Sequence, residues 1–389
     1  MSQSSFGVLL VSGGLTHQEN YAPMFRADPR CTLVGLSDEA DVPPARAQLN
    51  QDYAAELGIP YWPKLADALA RDDVHLVSVC AEPERRARIV AQCAAAGKHV
   101  YIDKPLSPSL ADADAAVAAV QTAGVRSQMF TFNHQPWAQR ARQVIDGGAI
   151  GDLVAIHADN LFAKGPGGTA KLGAPRRAIY PPVIANFVDA KAELYAMGVY
   201  ALGLVCWLAG RPVESVFGSV ANYFFDAHQK HNVEDFGLLA LTLGGGVTAT
   251  VTGGRVGWTS HPAAGTNQLY LIGTAGSLLV DAYGPRLEVY AAEPPWTPPA
   301  VNPRDPMGFW NSTQREVSTQ PKRTYAPLPN ELPSQSDVSH FVDCIVAERE
   351  SEMNVQQAAL LTEILLAGYQ SAALGQVVTL PLSRTEEYF

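Results

Sequence analysis

The first third of the chain carries short apolar runs at regular intervals: FGVLLV from Phe6, TLVGLS from Thr32, VHLVSVC from Val74, HVYI from His99 and VRSQMF from Val125. Between them lie alanine-rich segments over Pro44–Leu57, Pro83–Ala96 and Ser109–Ala123, with charges kept to one side as in amphipathic helices. Runs apolar at nearly every position suit strands buried on both faces. Buried strands separated by helices require crossover connections, so the pattern predicts an α/β, doubly wound parallel sheet of the Rossmann type. In such a sheet ligands bind beyond the carboxyl ends of the strands. Lys104 falls just past the run His99–Ile102, where a ligand would lie.

From about Asn133 the pattern changes. LVAIHAD, VFGSVANYFF, FGLLALTL, GVTATVTG, QLYLIGT and SLLVDA alternate with period two or are rich in β-formers, and glycine turns such as LGGG and GTAG join several of them. Helices are expected near Ala192–Leu208, Asp337–Ala347 and Val355–Leu374, and a long surface loop over Ala292–Pro333. Together these predict an α+β C-terminal domain on a mostly antiparallel sheet. The domains are expected at 1–132 (dinucleotide binding) and 133–389 (substrate binding and oligomerisation), with the C-terminal helices able to pack back on the first domain. One sheet face would be covered by helices, leaving the other for a homodimer or homotetramer.

Composition excludes several function classes. A chain of 389 residues with 47% hydrophobic and 17% charged residues can bury two cores. Its net charge of −10 argues against a nucleic-acid partner. No apolar run reaches membrane-spanning length and the start MSQSSFG has no basic n-region, so the expected location is the cytoplasm, with no membrane partner. Five scattered cysteines, with no C-x-x-C pair, suit reduced thiols.

The stretch SVCAEPERRARIVAQCAAAGKHVYIDKPLS, the turn YLIGTAGSLLVD, and HFVDCIVAERE followed by AALLTEILLAGYQSAALGQVVTLPL resemble, in order and spacing, the glucose-fructose oxidoreductase and inositol dehydrogenase (Gfo/Idh/MocA) family. Asp103-Lys104-Pro105 is similar to that family's Glu-Lys-Pro. The resemblance implies a nicotinamide cofactor in the first domain, along Ala81, Asp103, Lys104 and Pro105, and a carbohydrate substrate in the cleft. G-x-G-x-x-G is absent. After the first strand comes VSGGLTHQENY, in which Gly13 keeps a family glycine while Leu15 and Gln18 fall near the other two. The expected phosphate contacts are therefore Gly13, Gly14 and the side chains of Thr16 and His17. Asp38 follows Gly13 by 25 residues (38 − 13), the separation at which an acid meets the adenosine ribose. Its charge would favour NAD over NADP.

Lys104, beside an oxidised nicotinamide and partly desolvated, would have its pKa lowered into acid–base range. Where the family carries an Asp and a His four apart, this chain has Ala196 and Tyr200, and Tyr200 is the expected second proton-transferring group. A core aromatic with its hydroxyl on a carbonyl is the alternative. Glu193, seven residues before Tyr200 and so on the same helical face, and Lys191 are candidate substrate residues; Asn133 and His134 are expected at the cleft edge, and Lys164, Arg176 and Arg177 over it. His261 and Arg255 could also reach it. His228, His231, Glu234 and Asp235 form a tight group whose spacing matches no standard metal site, and no metal is expected. The expected activity is hydride transfer between NAD and a sugar or polyol. A glycosidase working through transient oxidation by bound NAD, and a binding protein with a degenerate cofactor site, are the alternatives.

Overall fold

The computed structural model describes residues 5–163, 165, 169, 189–258, 265–282, 286–291, 303–305, 323–325 and 337–384. Strands β1 (Phe6–Val11), β2 (Cys31–Ser37), β3 (Tyr61–Trp62), β4 (Leu76–Val79), β5 (His99–Ile102) and β6 (Ser127–Met129) form a parallel sheet in the order β3-β2-β1-β4-β5-β6. The residues of β1 from Val8 onward, and all of β4, are fully buried, as the unbroken apolar runs require. Helices α1 (Gln18–Ala27), α2 (Pro44–Leu57), α3 (Leu65–Leu69), α4 (Pro83–Ala95) and α5 (Leu110–Ala123) connect them. Both α2 and α4 begin on a proline, whose missing N–H is no loss in a first helical turn. The strand order reverses between β1 and β4, which opens a crevice at their carboxyl ends.

The second unit is built on a nine-stranded sheet. Helix α6 (Pro136–Asp146) leads into β7 (Leu153–Ala163), and a π-helical turn (Leu194–Gly198) runs into α7 (Val199–Ala209). Then follow β8 (Val213–Ala221), α8 (Asp226–His231), β9 (Phe236–Leu243), β10 (Val247–Val256), β11 (Gly265–Gly273), β12 (Gly276–Asp281), β13 (Arg286–Ala291), β14 (Arg323–Tyr325), α9 (Asp337–Val346), α10 (Val355–Leu374) and β15 (Val378–Thr379). The order is β14-β13-β12-β11-β7-β10-β9-β8-β15, antiparallel except for β10 beside β7. β14 corrects the reading of 292–333 as all loop: three residues there pair with β13. Helix α10 seats directly on β8, where a Cβ on Gly218 would lie 2.1 Å from the Gly368 carbonyl oxygen. The opposite face carries Phe217, Ala240, Thr250, His157 and Tyr270, which the strand register aligns in one row. Phe217 and Tyr270 are exposed.

A buried acid ties these layers together. Glu234, before β9, accepts hydrogen bonds from Tyr369 Oη on α10 (2.5 Å) and from the Leu194 amide (3.1 Å). Burial outweighs these donors and pushes its pKa from 4.5 up to about 7. The folded state therefore holds a proton that the unfolded chain releases. The stabilisation is complete below the unfolded pKa and is lost as pH rises through about 7. Glu234→Gln keeps a neutral acceptor in place, so its melting temperature should fall less than the wild type's between about pH 5 and about pH 7.5. Parallel melting curves across that range would remove Glu234 as the cause.

Candidate active site

Arg86, on α4 and 3% exposed, shapes the turn after β5. Its guanidinium donates from Nε to the Ala81 carbonyl (3.0 Å), from Nη1 to the Pro105 carbonyl and from Nη2 to Asp103 Oδ2 (2.9 Å). Asp103 Oδ1 accepts from Tyr21 Oη on α1 (2.8 Å) and lies 2.9 Å from His17 Nδ1. Burial alone would raise the Asp103 carboxyl. The charges of Arg86 and His17 outweigh it and hold the group well below the usual carboxylate range.

Lys104 follows, joined to Pro105 by a cis peptide and 6% exposed. Its Nζ donates to the Ala196 carbonyl (2.6 Å) and lies 4.3 Å above the Tyr200 ring. Burial pulls its pKa down from 10.5 to about 8, against the charges of Asp103 and Glu193. Tyr200, itself buried, stacks on Phe132 with centroids 4.2 Å apart and planes at 7°. Phe132 thus covers one face of the ring and the ammonium the other.

Arg86, Asp103, Lys104 and Pro105 border a cleft of about 490 Å³ between the sheet's carboxyl edge and the second unit, whereas Tyr200, expected as a proton-transferring group, is not among its lining residues and touches the site through Lys104. Thr16 and His17 line it on one side; Lys191, Tyr195 and Ala196 line it on the other. Tyr195 is 2% exposed and its hydroxyl makes no hydrogen bond among the described residues.

The turn after β1 is unusual. Ser12, Gly14 and Leu15 have φ of 61°, 75° and 59°, so Leu15 adopts a left-handed conformation that costs a branched residue about 1–2 kcal/mol. Its side chain is 86% exposed at the cleft rim. The Gly13 amide donates to Asn50 Oδ1 (2.9 Å), the Thr16 amide to the Glu19 carboxylate (3.1 Å) and the Gln18 amide to Thr16 Oγ1 (3.1 Å). Much of the backbone donor set that a G-x-G-x-x-G turn would offer a phosphate is thereby engaged within the protein.

Asp38 departs from expectation. It is fully buried and accepts from Ser12 Oγ (2.6 Å), Asn50 Nδ2 (2.9 Å), the Glu39 amide (2.8 Å) and both terminal nitrogens of Arg85 (2.5 and 3.1 Å). Five donors fill a carboxylate's acceptor sites, so in this arrangement none remains for a ribose hydroxyl. The Arg85 cation also cancels the negative charge from which a preference for NAD over NADP was argued.

Two matching regions decide the family. Residues 6–131 match the model described as an oxidoreductase family with an NAD-binding Rossmann fold, and residues 138–279 match the GFO/IDH/MocA C-terminal domain. The chain belongs to the GFO/IDH/MocA family. Its first unit is the family's NAD-binding Rossmann fold. Among curated relatives, this member is 36% identical over 94 residues to 4-carboxy-2-hydroxymuconate-6-semialdehyde dehydrogenase from Sphingobium, covering 22% of this chain and 30% of that one. It is 28% identical over 162 residues to inositol 2-dehydrogenase from Gluconacetobacter diazotrophicus, covering 40% and 45%. The chain thus spans less than half the length of both. A levoglucosan dehydrogenase solved with NADH and levoglucosan superposes with a TM-score of 0.74 over 98% of this chain and all of that one, at 16% identity, which shows the shared fold.

Several expected site residues lie elsewhere in this GFO/IDH/MocA protein. Asn133 and His134 do not line the cleft. Asn133 is fully buried, and His134 stacks on His340 of α9 at 3.8 Å, where burial and the His340 charge lower its pKa to about 4. Glu193, also buried, lies 3.6 Å from His228 Nε2 instead of lining the cleft. Arg255 lies over the Phe225 ring at 5.6 Å. Lys164, Arg176, Arg177 and His261 fall outside the described residues. The group His228, His231, Glu234 and Asp235 disperses, with His231 on Asp189, Glu234 on Tyr369 and Asp235 on the amides of Tyr223, Phe224 and Phe225. Among the described residues, His134, His340 and Glu352 do bring possible metal ligands within 4.8 Å of one another. Glu352 pairs there with His340 Nε2 (3.2 Å) and with Arg349 Nη1 (3.9 Å), however, which gives that cluster the character of an ion-paired clamp.

Sequence reasoning missed Arg86, Tyr21, Tyr195 and Arg46. Arg86 could have been suspected as a charge on the otherwise apolar inner face of α4, between Pro83 and Ile89. Tyr195 carried no comparable signal.

Proposed function

We propose that the protein is an NAD-dependent oxidoreductase that moves hydride between the nicotinamide and a carbinol carbon of a sugar, polyol or sugar derivative. The observation that carries this reading is the Lys104 amine: buried, lowered to about 8, and bordering a cleft at the carboxyl edge of a Rossmann sheet. The residues present fit a dinucleotide, since Arg46 borders the same cleft and its buried Nη1 has no hydrogen-bond partner among the described residues. When bound, the nicotinamide supplies the hydride-accepting carbon. Lys104 takes or returns the proton of the reacting hydroxyl. Tyr195 Oη offers a hydrogen bond to a substrate oxygen, and desolvation by burial keeps its phenol protonated. Names of relatives such as inositol 2-dehydrogenase and levoglucosan dehydrogenase support a carbohydrate substrate. The exposed row from Phe217 to Tyr270 is the surface through which we propose self-association.

Incubation with NAD and a panel of inositols, anhydrosugars, aldoses, sugar acids and aryl glycosides tests the reading, with nicotinamide absorbance and released aglycone followed together. Reduced nicotinamide should accumulate in step with product. Aglycone release with none accumulating would instead show a glycosidase working by transient oxidation.

Tyr200 enters the proposal through its ring, which holds the ammonium. Tyr200→Phe keeps that ring and should leave turnover within about threefold, whereas Tyr200→Leu should lower it by about tenfold, the scale of one desolvated cation–π contact. Equal losses in the two variants would make the hydroxyl the working part.

A further inference from the structure

We infer that Arg46 supplies a cationic contact for the phosphates of the dinucleotide, at a turn after β1 where the Gly13, Thr16 and Gln18 amides are already engaged within the protein. The inference rests on the cofactor reading above. Arg46 projects from α2, its side chain 10% exposed, and borders the cleft together with Leu15, Thr16 and His17. Nη2 donates to the Gly14 carbonyl (2.7 Å), which fixes the guanidinium against the turn, and Nε lies 3.9 Å from Glu82 Oε1. Nη1 is buried and makes no hydrogen bond among the described residues.

An unpaired buried donor on a group that cannot deprotonate carries a desolvation cost, which a phosphate oxygen would remove. The planar fork of a guanidinium also matches phosphate geometry. The neighbouring arginines of α4 are already engaged. Arg85 is bound to Asp38, Glu82 and Ser12, and Arg86 to Asp103 and two carbonyls. Lys104 is held against Ala196 and Tyr200. At the start of α1 the Glu19 carboxylate accepts from the Thr16 amide, a negative charge that an incoming anion would have to offset. With the Gly13 amide on Asn50 and leucine at the second glycine position, recognition passes from main chain to side chain.

The test is titration of the full-length protein with NADH, ADP-ribose and adenosine, comparing wild type with Arg46→Ala and Arg46→Gln. Arg46→Gln retains a donor for Gly14 while removing the charge, so it reports on the charge even where Arg46→Ala fails to fold. Both variants should bind NADH and ADP-ribose about tenfold to a hundredfold more weakly, the range for losing a charged hydrogen bond, and adenosine unchanged. Added salt should weaken ADP-ribose binding more steeply in the wild type than in Arg46→Gln. An equal loss for adenosine would overturn the inference by showing that Arg46 only shapes the pocket, and unchanged ADP-ribose binding would overturn it outright. A wild type that binds neither NADH nor ADP-ribose would overturn the cofactor reading itself.

Discussion

Lys104→Met is expected to lower turnover about a thousandfold while leaving NADH affinity within about threefold and melting temperature unchanged or higher. Methionine keeps most of the apolar length of the lysine stem and removes a charge whose burial already disfavours it, as the pKa lowered to about 8 records. The loss should therefore fall on the proton-transfer step and leave folding intact. The wild type's pH profile carries the same signature. In alcohol oxidation the neutral amine is the base, so the rate should climb as pH rises through about 8; in carbonyl reduction the ammonium is the acid, and the rate should decline over that range. Lys104→Arg should not rescue the oxidation, because a guanidinium stays protonated. Steady-state kinetics in both directions, with NADH titrated by fluorescence, would check each point. Turnover within tenfold of the wild type in Lys104→Met would exclude the amine as the proton-handling group.

Lys104 was legible from sequence because its position follows from chain pattern alone: an apolar run that ends in charge marks the edge of a buried strand. The helices were legible where their ends are chemically marked. Pro44 opens α2, and Gly375 closes α10 in a left-handed conformation at a φ of 68°. Helix α1 escaped because its inner face, Gln18, Tyr21, Ala22 and Phe25, is periodic but begins with a polar residue, and the segment contains Pro23. Gln18 is buried because Ser78 of β4 satisfies its side chain, a tertiary fact with no local trace. Asp38 failed for the same kind of reason. Spacing placed it correctly at the end of β2, but no local rule says that Arg85, 47 residues later, will cover it. Glu193 was expected on the face of Tyr200 from ordinary helical spacing. The π-helical turn Leu194–Gly198 intervenes, and Glu193 reaches His228 instead.

Asp103→Asn is expected to destabilise the fold by about 3–5 kcal/mol, the usual consequence of breaking a buried ion pair from one side. The amide keeps the shape of the carboxyl but leaves the 3% exposed guanidinium of Arg86 without a counter-charge and removes an acceptor shared by Tyr21 and His17. Asp103 is held below its ordinary value of 3.8, so its stabilising contribution is present above that pH and is lost as pH falls below it. The gap between wild type and variant should therefore narrow on acidification. Adding Arg86→Met to Asp103→Asn should recover part of the loss, since the stranded charge causes most of it; chemical denaturation of the four proteins would measure that coupling. Simple additivity would mean that the pair does not act as a unit. Turnover should drop in Asp103→Asn even where the protein remains folded, because Arg86 and Asp103 fix the turn that aims Lys104 at the cleft. The double variant should then regain stability without regaining activity, which separates holding the fold from positioning the amine.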